Sequence, residues 1–219
     1  GAVKPRAQTL ALGNFAGVHL GPRQLLAAAR AQLLPNEPLV AVTFDPHPAS
    51  LVAPDKAPKL LTTIKRRQTL LLEAGADQVE VLSFDLALAA TPYDVFATSI
   101  LAERLGARQI FVGEDFRFGA GRKGNVSLLA QVGEQAGFGV VPFAPVSYEG
   151  RVVSSTWIRE LLEDGKVEEA ATLLERPYDI TGAVIQGDGR GRTIGVPTAN
   201  LSPPHTVAPK NGVYAVRAK

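Results

Sequence analysis

A chain of 219 residues, 46% hydrophobic and 20% charged, is sized and composed for one well-buried globular domain with room for something smaller beside it. The absence of Cys excludes disulfides, thiol nucleophiles and thiolate-bound metals, and His19, His47 and His205 are too few for a histidine-built zinc site. A net charge of +2 admits anionic ligands but gives little counterion release on nucleic acid, and no apolar stretch approaches the ~18–20 residues of a membrane span.

Neither a nucleic-acid nor a membrane partner is therefore expected. The Cys-free composition fits a reducing cytosol and no secretory signal is visible, so a cytoplasmic location is the expectation. No Met occurs, position 1 included, which reads as a processed, truncated or tagged product.

Thr9–Leu12 opens the chain as a short apolar strand. "GNFAGVHLGP" (Gly13–Pro22) follows it and leads into an amphipathic stretch, Arg23–Leu34. A strand, a glycine turn and a helix start aim backbone N–H groups and a positive dipole end at one point. Gly17 and Gly21 would let a bulky ligand approach the main chain, and His19 can donate from its imidazole, a design for phosphates. A plain tight turn carrying an incidental histidine answers the same residues.

Pro38–Phe44 is the second strand and ends in "TFDPHPAS" (Thr43–Ser50), where two prolines fix the backbone and present Asp45 and His47 at the rim. A rigid connection with no ligand is the competing reading. Thr63–Ala74 then reads as a helix, Gln78–Phe84 as a strand and Pro92–Leu105 as a helix, with Thr91 as its cap and proline at its first position. Gln109–Val112 is a fourth strand, and "VGEDFRFGAGRKGN" (Val112–Asn125) leaves its end. That loop is either a basic solvated connection or, with Phe116 and Phe118 offering flat apolar faces among its arginines, a cradle for a ligand having both a ring and a phosphate.

Asn125–Gln135 is helical and Gly139–Phe143 is a fifth strand, and Gly75, Gly106 and Gly137 stand where helices should stop. In "VSSTWIRELL" (Val153–Leu162) one hydroxyl is explained by helix capping; three hydroxyls with Arg159 on the first turns suit an anion at a helix N-terminus. Alternating strands and helices predict an α/β fold, a doubly wound parallel sheet with helices on both faces and ligands outside the strands' carboxyl ends. Past Arg176-Pro177 the texture changes to Gly, Pro, Thr and Val with no helical pattern, six basic residues (Arg176 included) against two acidic ones. The expected domains are 1–176 and 177–219.

Taken together these pieces resemble the bacterial bifunctional riboflavin kinase/FMN adenylyltransferases, or FAD synthetases. The resemblance is carried by "GNFAGVHLG", "FDPHP", "LTT" (Leu61–Thr63), "VGEDFRFGAGRKGN", "SSTWIRELLEDGKVEEA", "GDGRGRTIGVPTANL" and "NGVY" (Asn211–Tyr214), in the family's order. It implies a nucleotidylyltransferase-like Rossmann module that moves AMP from ATP onto FMN, giving FAD and pyrophosphate with Mg²⁺, followed by a small β-barrel that makes FMN from riboflavin and ATP. Carried over by position, Asn14, His19, Ser155 and Arg159 would act in the transfer. Gly13, Phe15, Gly17, Gly21, Ser154 and Thr156 would complete the ATP site. Asp45, Pro46, His47, Pro48, Asp115, Phe116 and Arg117 would line the flavin and nucleotide pocket. In the barrel, Gly187, Gly189 and Gly195 would form a phosphate loop, with Thr198 and Asn200 as Mg-ATP ligands; a glycine-rich hairpin is the plainer reading of that stretch.

Two positions depart from the family's first loop. Ala16 stands where the family has aspartate, and Pro22 where it has the second histidine of a pair supporting the transition state. Loss of one such donor should cost ~2.7–4 kcal/mol, about 10²–10³ in rate, if it acts as an oxyanion-hole donor does. The expectation is an FMN adenylyltransferase with a handicapped phosphate loop; the alternative is a module that holds flavin or ATP without turnover. The barrel part is expected to be incomplete at Lys219, lacking the glutamate that serves the family as base, with Ile180–Lys219 loosely held and no riboflavin phosphorylation.

Overall fold

β1 (Gln8–Leu12) leads to α1 (Leu20–Arg30), β2 (Leu39–Asp45), the short α2 (Pro48–Val52), α3 (Ile64–Glu73) and β3 (Gln78–Ser83). Then come α4 (Leu86–Ala89), α5 (Tyr93–Val95) running on into a wider helical stretch (Phe96–Arg104), β4 (Ala107–Gly113), α6 (Val126–Ala136) and β5 (Gly139–Phe143). A two-residue hairpin, β6 (Ser147–Tyr148) and β7 (Arg151–Val152), precedes α7 (Ser155–Glu163) and α8 (Val167–Leu174). This computed structural model describes residues 6–202 and 204–219; residues 1–5 of the expected first domain and residue 203 of the second lie outside it.

The sheet is parallel throughout in the order β3-β2-β1-β4-β5, with Leu10 level with Val40 on one side and Ile110 on the other. Strands buried on both faces favour apolar residues at successive positions, which is why β2 opens as an unbroken apolar run, Leu39–Val42, before the buried, hydrogen-bonded Thr43. Leu10, Leu12, Val40, Val42, Ile110 and Val112 face the wide helix and α6. Ala11, Leu39, Ala41 and Phe111 face α1 and α3. The expected doubly wound sheet is present.

Differences from the sequence expectations are local. α1 begins at Leu20 rather than Arg23, because His19 caps it. Thr91 does not cap the helix after it: its hydroxyl donates to the Ala87 carbonyl (2.8 Å) and Pro92 holds the cap position. Phe96–Arg104 winds wide, the Leu105 N–H reaching the Ile100 carbonyl five residues back (2.9 Å). Gly75, Gly106 and Gly137 all have positive φ and stop helices as expected.

Inside α6, a Cβ on Gly133 would run into the Phe138 carbonyl and ring. Alanine gains about 1 kcal/mol of helix propensity over glycine, while overpacking costs about 1–3 kcal/mol. Gly133→Ala should therefore lower stability in urea denaturation, by about 1–2 kcal/mol; equal or greater stability would mean that Phe138 yields freely.

After α8 the chain is mostly exposed, with two short strands, β8 (Val184–Ile185) and β9 (Asn200–Leu201), pairing antiparallel. A single turn of helix, α9 (Arg190–Thr193), occupies a stretch where no helix was expected. Within the segment expected to be loosely held, Thr206–Val207 is packed against the first module. Val207 is 1% exposed and fills a cluster with Leu61, Ile158, Leu161 and Leu174. Its N–H donates to the Leu60 carbonyl (2.8 Å), and Lys210 N–H to Leu162 (2.9 Å). Burying a valine contributes about 1.5 kcal/mol or more, which anchors the chain locally at this point.

Candidate functional site

β1 and β4 are the sheet's central pair, and their connections run to opposite sides, β1 to β2 and β4 to β5. The loops that leave them must therefore part at the carboxyl edge. There lies a cleft of about 200 Å³, lined by Gly13, Phe15, His19, Gly21, Asp115 and Phe116 among the expected residues, and by Pro22. Phe143–Val146 and Val153 form another part of its wall, which the sequence reading missed. Ala144–Val146 follows the carboxyl end of β5, so the rule that found the other loops would have found it too.

The glycines of the first loop serve the loop itself. A Cβ on Gly17 would sit 2.9 Å from Leu61 Cδ1, and one on Gly21 2.9 Å from His19 Cε1. Their missing side chains make room for Leu61 and for the imidazole. Gly13 makes the same kind of room for the Phe15 ring, 2.8 Å from where its Cβ would stand. Phe15 (φ 48°) and Val18 (φ 45°) are both held at left-handed φ. For a β-branched residue such as Val18 that is a rare conformation, one that persists only when its surroundings over-determine it.

His19 caps α1, its Nδ1 accepting from the Gly21 N–H (3.1 Å). That acceptor role places the proton of the neutral ring on Nε2, leaving one donor free. Burial, assisted by the charge of Arg176, lowers the His19 pKa from 6.5 to about 4, so the ring is neutral at physiological pH. Between pH 6.5 and 4 the unfolded chain then binds a proton that the folded chain refuses. This contribution to stability is complete above pH 6.5 and is lost as pH falls, by up to about 3 kcal/mol. His19→Ser keeps a capping oxygen without the titration, so the parent's urea midpoint, close to the variant's above pH 6.5, should fall below it as the pH drops from 6.5 towards 4. His47, whose pKa is likewise lowered chiefly by burial, leaves a smaller slope of the same sign in both proteins.

Asp45, Pro46, His47 and Pro48 follow β2 on the same edge, with a cis Asp45–Pro46 bond and the His47 Nδ1 accepting from the Ala49 N–H (3.1 Å). Beneath them lies Arg67, 1% exposed, which the sequence reading passed over. Its Nη1 donates to the Phe44 carbonyl (2.9 Å) and to Thr43 Oγ1 (3.3 Å), while the Thr43 hydroxyl donates to the Asn14 carbonyl (2.8 Å). The Thr62 hydroxyl donates to the Ala16 carbonyl (2.9 Å). The first loop is thus tied to both the β2 loop and the "LTT" stretch, and the Asn14 Oδ1 is buried with no hydrogen-bond partner among the described residues.

Ser154 spends its hydroxyl on capping α7, accepting from the Trp157 N–H (3.1 Å), and leaves Ser155 and Thr156 on the first turn. Arg159 donates from Nε to the Lys59 carbonyl (2.8 Å), and its charge is one of those that reach His47. Val153 borders the central cleft while Arg159 approaches the β2 loop, so α7 spans the edge between them. Phe116 is partly buried, stacked on Phe44 (6.4 Å between centroids) and Phe118 (6.1 Å). Phe118 is buried in the core, so of the two phenylalanines only Phe116 can offer a face to a ligand. Arg117 is exposed.

The second glycine loop is a separate, exposed group. Gly189 (φ 70°) and Gly195 (φ 77°) make its left-handed corners, and Gly187 lies against the Asn200 side chain. A Cβ on Gly191 would stand 3.0 Å from Thr198 Oγ1. Thr198 and Asn200 are thus carried beside the glycines.

Similarity to known proteins follows the same division. The FAD synthetase family profile matches residues 2–157 and the riboflavin kinase profile residues 174–219. The bifunctional riboflavin kinase/FMN adenylyltransferase of Escherichia coli strain K12 is 40% identical over 208 residues, 94% of this chain. The protein of that name from Haemophilus influenzae is 36% identical over 96% of this chain and 68% of its own length. The chain spans 66% of the length of the Escherichia coli relative. A crystal structure from Streptococcus pneumoniae, described as a macrolide-efflux protein, superimposes with a TM-score of 0.83 at 33% identity, covering 97% of this chain and 69% of that one. A central cleft at the switch point, four edge loops in the expected order and two profiles matched in succession leave one conclusion: the chain belongs to the bifunctional riboflavin kinase/FMN adenylyltransferase (FAD synthetase) family.

Proposed function

We propose that this chain transfers AMP from ATP to FMN, giving FAD and pyrophosphate. One observation carries the reading: a neutral imidazole, donor outward, stands at the start of α1 in the switch-point cleft. In the reaction an FMN phosphate oxygen bonds to the α-phosphorus as the bond to the pyrophosphate oxygen breaks. No protein nucleophile is needed, so the chain's contribution is alignment of two anions and donors for the charge that develops. His19 and the α1 terminus would face the ATP phosphates with Asn14, and Ser155, Thr156 and Arg159 would approach from α7. Asp45–Pro48 with Asp115, Phe116 and Arg117 would hold the flavin and nucleotide.

Among the described residues no three of His, Asp and Glu come together as a metal cage. Mg²⁺, which would neutralise phosphate charge, would therefore arrive with ATP, its hard oxygen ligands coming from the phosphates and, in the second glycine loop, from Thr198 and Asn200. We place the boundary between the two modules at Arg176–Pro177, with residues 177–219 as part of the riboflavin kinase barrel. Efflux is what the Streptococcus pneumoniae protein is named for; among the described residues of this chain no helix is long and apolar enough to cross a membrane.

Chromatography of flavins after incubation with FMN, ATP and Mg²⁺ tests the reading. FAD formation is expected. Binding of both substrates without FAD would make this a flavin- and nucleotide-holding module instead.

A further inference from the structure

We infer that Arg176 is a positioning residue for adenylyl transfer, fixing the first loop by holding its two consecutive carbonyls, Gly17 and Val18, with one guanidinium. The inference rests on the adenylyl-transfer reading above. Nη2 donates to the Gly17 carbonyl (2.7 Å) and Nη1 to the Val18 carbonyl (3.0 Å), with a longer bond from Nη1 to Leu174 (3.3 Å). The fork geometry of arginine suits two acceptors on successive peptides as no single ammonium can.

The carbonyls held are those of a strained turn. Val18 is fully buried at φ 45°, a conformation its branched side chain disfavours, and it immediately precedes His19. In a trans peptide the N–H points opposite to the C=O. Fixing the Val18 carbonyl on Arg176 therefore turns the His19 N–H away from the guanidinium and sets where the cap and its imidazole begin. Leu61 fills the space beside Gly17, with a Leu174 methyl 3.8 Å from where a Cβ would be, pressing the loop down onto the end of α8.

Arg176 makes no ion pair among the described residues, and its Nε is buried without a partner. Arg176 is half-buried, and a charge drawn partly out of water for stability alone is ordinarily paired. This one is committed to the loop, and its field is the second cause of the neutral His19. Burial lowers its own pKa only to about 10, so the guanidinium stays charged at neutral pH. The residue lies in the stretch matched by the riboflavin kinase profile, beyond the end of the FAD synthetase match at residue 157. The first module's loop is thus completed from the junction where the riboflavin kinase match begins.

The test compares the chain with Arg176→Lys and Arg176→Ala, reading steady-state FAD formation, Mg-ATP affinity by calorimetry, and melting temperature. In Arg176→Lys, kcat per folded molecule should fall at least 10-fold while KM for FMN stays within twofold. Arg176→Ala should show a larger loss and weaker Mg-ATP binding. A lower melting temperature with kcat unchanged in the lysine variant would overturn the positioning role, and if alanine fails to fold the lysine variant still decides. If the parent binds Mg-ATP but makes no FAD, the transfer reading fails by itself; the inference is then judged on Mg-ATP affinity, and equal affinity in parent and variants overturns it. A parent that neither makes FAD nor binds Mg-ATP overturns both.

Discussion

Pro22→His combined with Ala16→Asp should raise kcat for FAD formation by about 10²-fold or more while changing KM for ATP little. Pro22 lines the cleft and stands three residues after His19, a spacing that puts two side chains on one side of a helix start. A histidine there would place a second imidazole beside the first. The fold should accept it, since position 22 lies in the first turn, where a backbone N–H has no helical partner in any case. Ala16 keeps its main-chain bond from Thr62 whatever its side chain. Charge moves onto the departing pyrophosphate only in the transition state, so a donor that meets it there speeds turnover without tightening ground-state binding. A double variant that is no faster, or that gains only through a lower KM, would refute the transition-state role of this loop.

His19→Ser should act in the opposite direction, lowering kcat about 10²–10³-fold with little change in ATP affinity. The serine hydroxyl can still accept from the Gly21 N–H and cap α1, but it carries no donor where the imidazole Nε2 stands. Capping and catalysis separate by size. A lost cap costs about 1 kcal/mol of stability, whereas a lost transition-state donor costs about 2.7–4 kcal/mol of activation free energy. Kinetics at pH 7.5, where the parent His19 is neutral, should show the catalytic loss with the melting temperature nearly kept. An unchanged kcat would leave His19 as a cap and nothing more.

The sheet was legible because its strands are buried on both faces: β2 admits no polar interruption between Leu39 and Val42, and Gly137 marks the end of α6 through the one residue that takes its φ freely. The wide winding of Phe96–Arg104 left no trace in residue type, since its apolar spacing serves an ordinary helix equally well. α1 was placed three residues late because His19 is an unusual capping residue. Turn chemistry at strand ends located the edge loops. It could not say that Gly17 and Gly21 serve Leu61 and the imidazole, since a close neighbour and a close ligand ask for the same glycine. Arg67 and Arg176 were invisible as site residues for another reason. Both bond mainly to carbonyls, which every residue has, and at separations no local pattern spans.

The bond from Arg176 to Gly17 joins residues 159 apart in the chain. At roughly 5–20 residues per second, the first loop leaves the ribosome about 8–30 s before its arginine does. β1 can pair with β2 as soon as Asp45 has emerged, yet the turn between β1 and α1 must wait for the last residue of the first module. Contacts of such long reach are also slow to form from the unfolded chain. On a ribosome stalled short of Arg176, the sheet would be assembled while the Phe15–Val18 turn still lacked the group that holds it. The loop after β1 is therefore completed long after its own residues are made, once Arg176 has followed them by 159 residues.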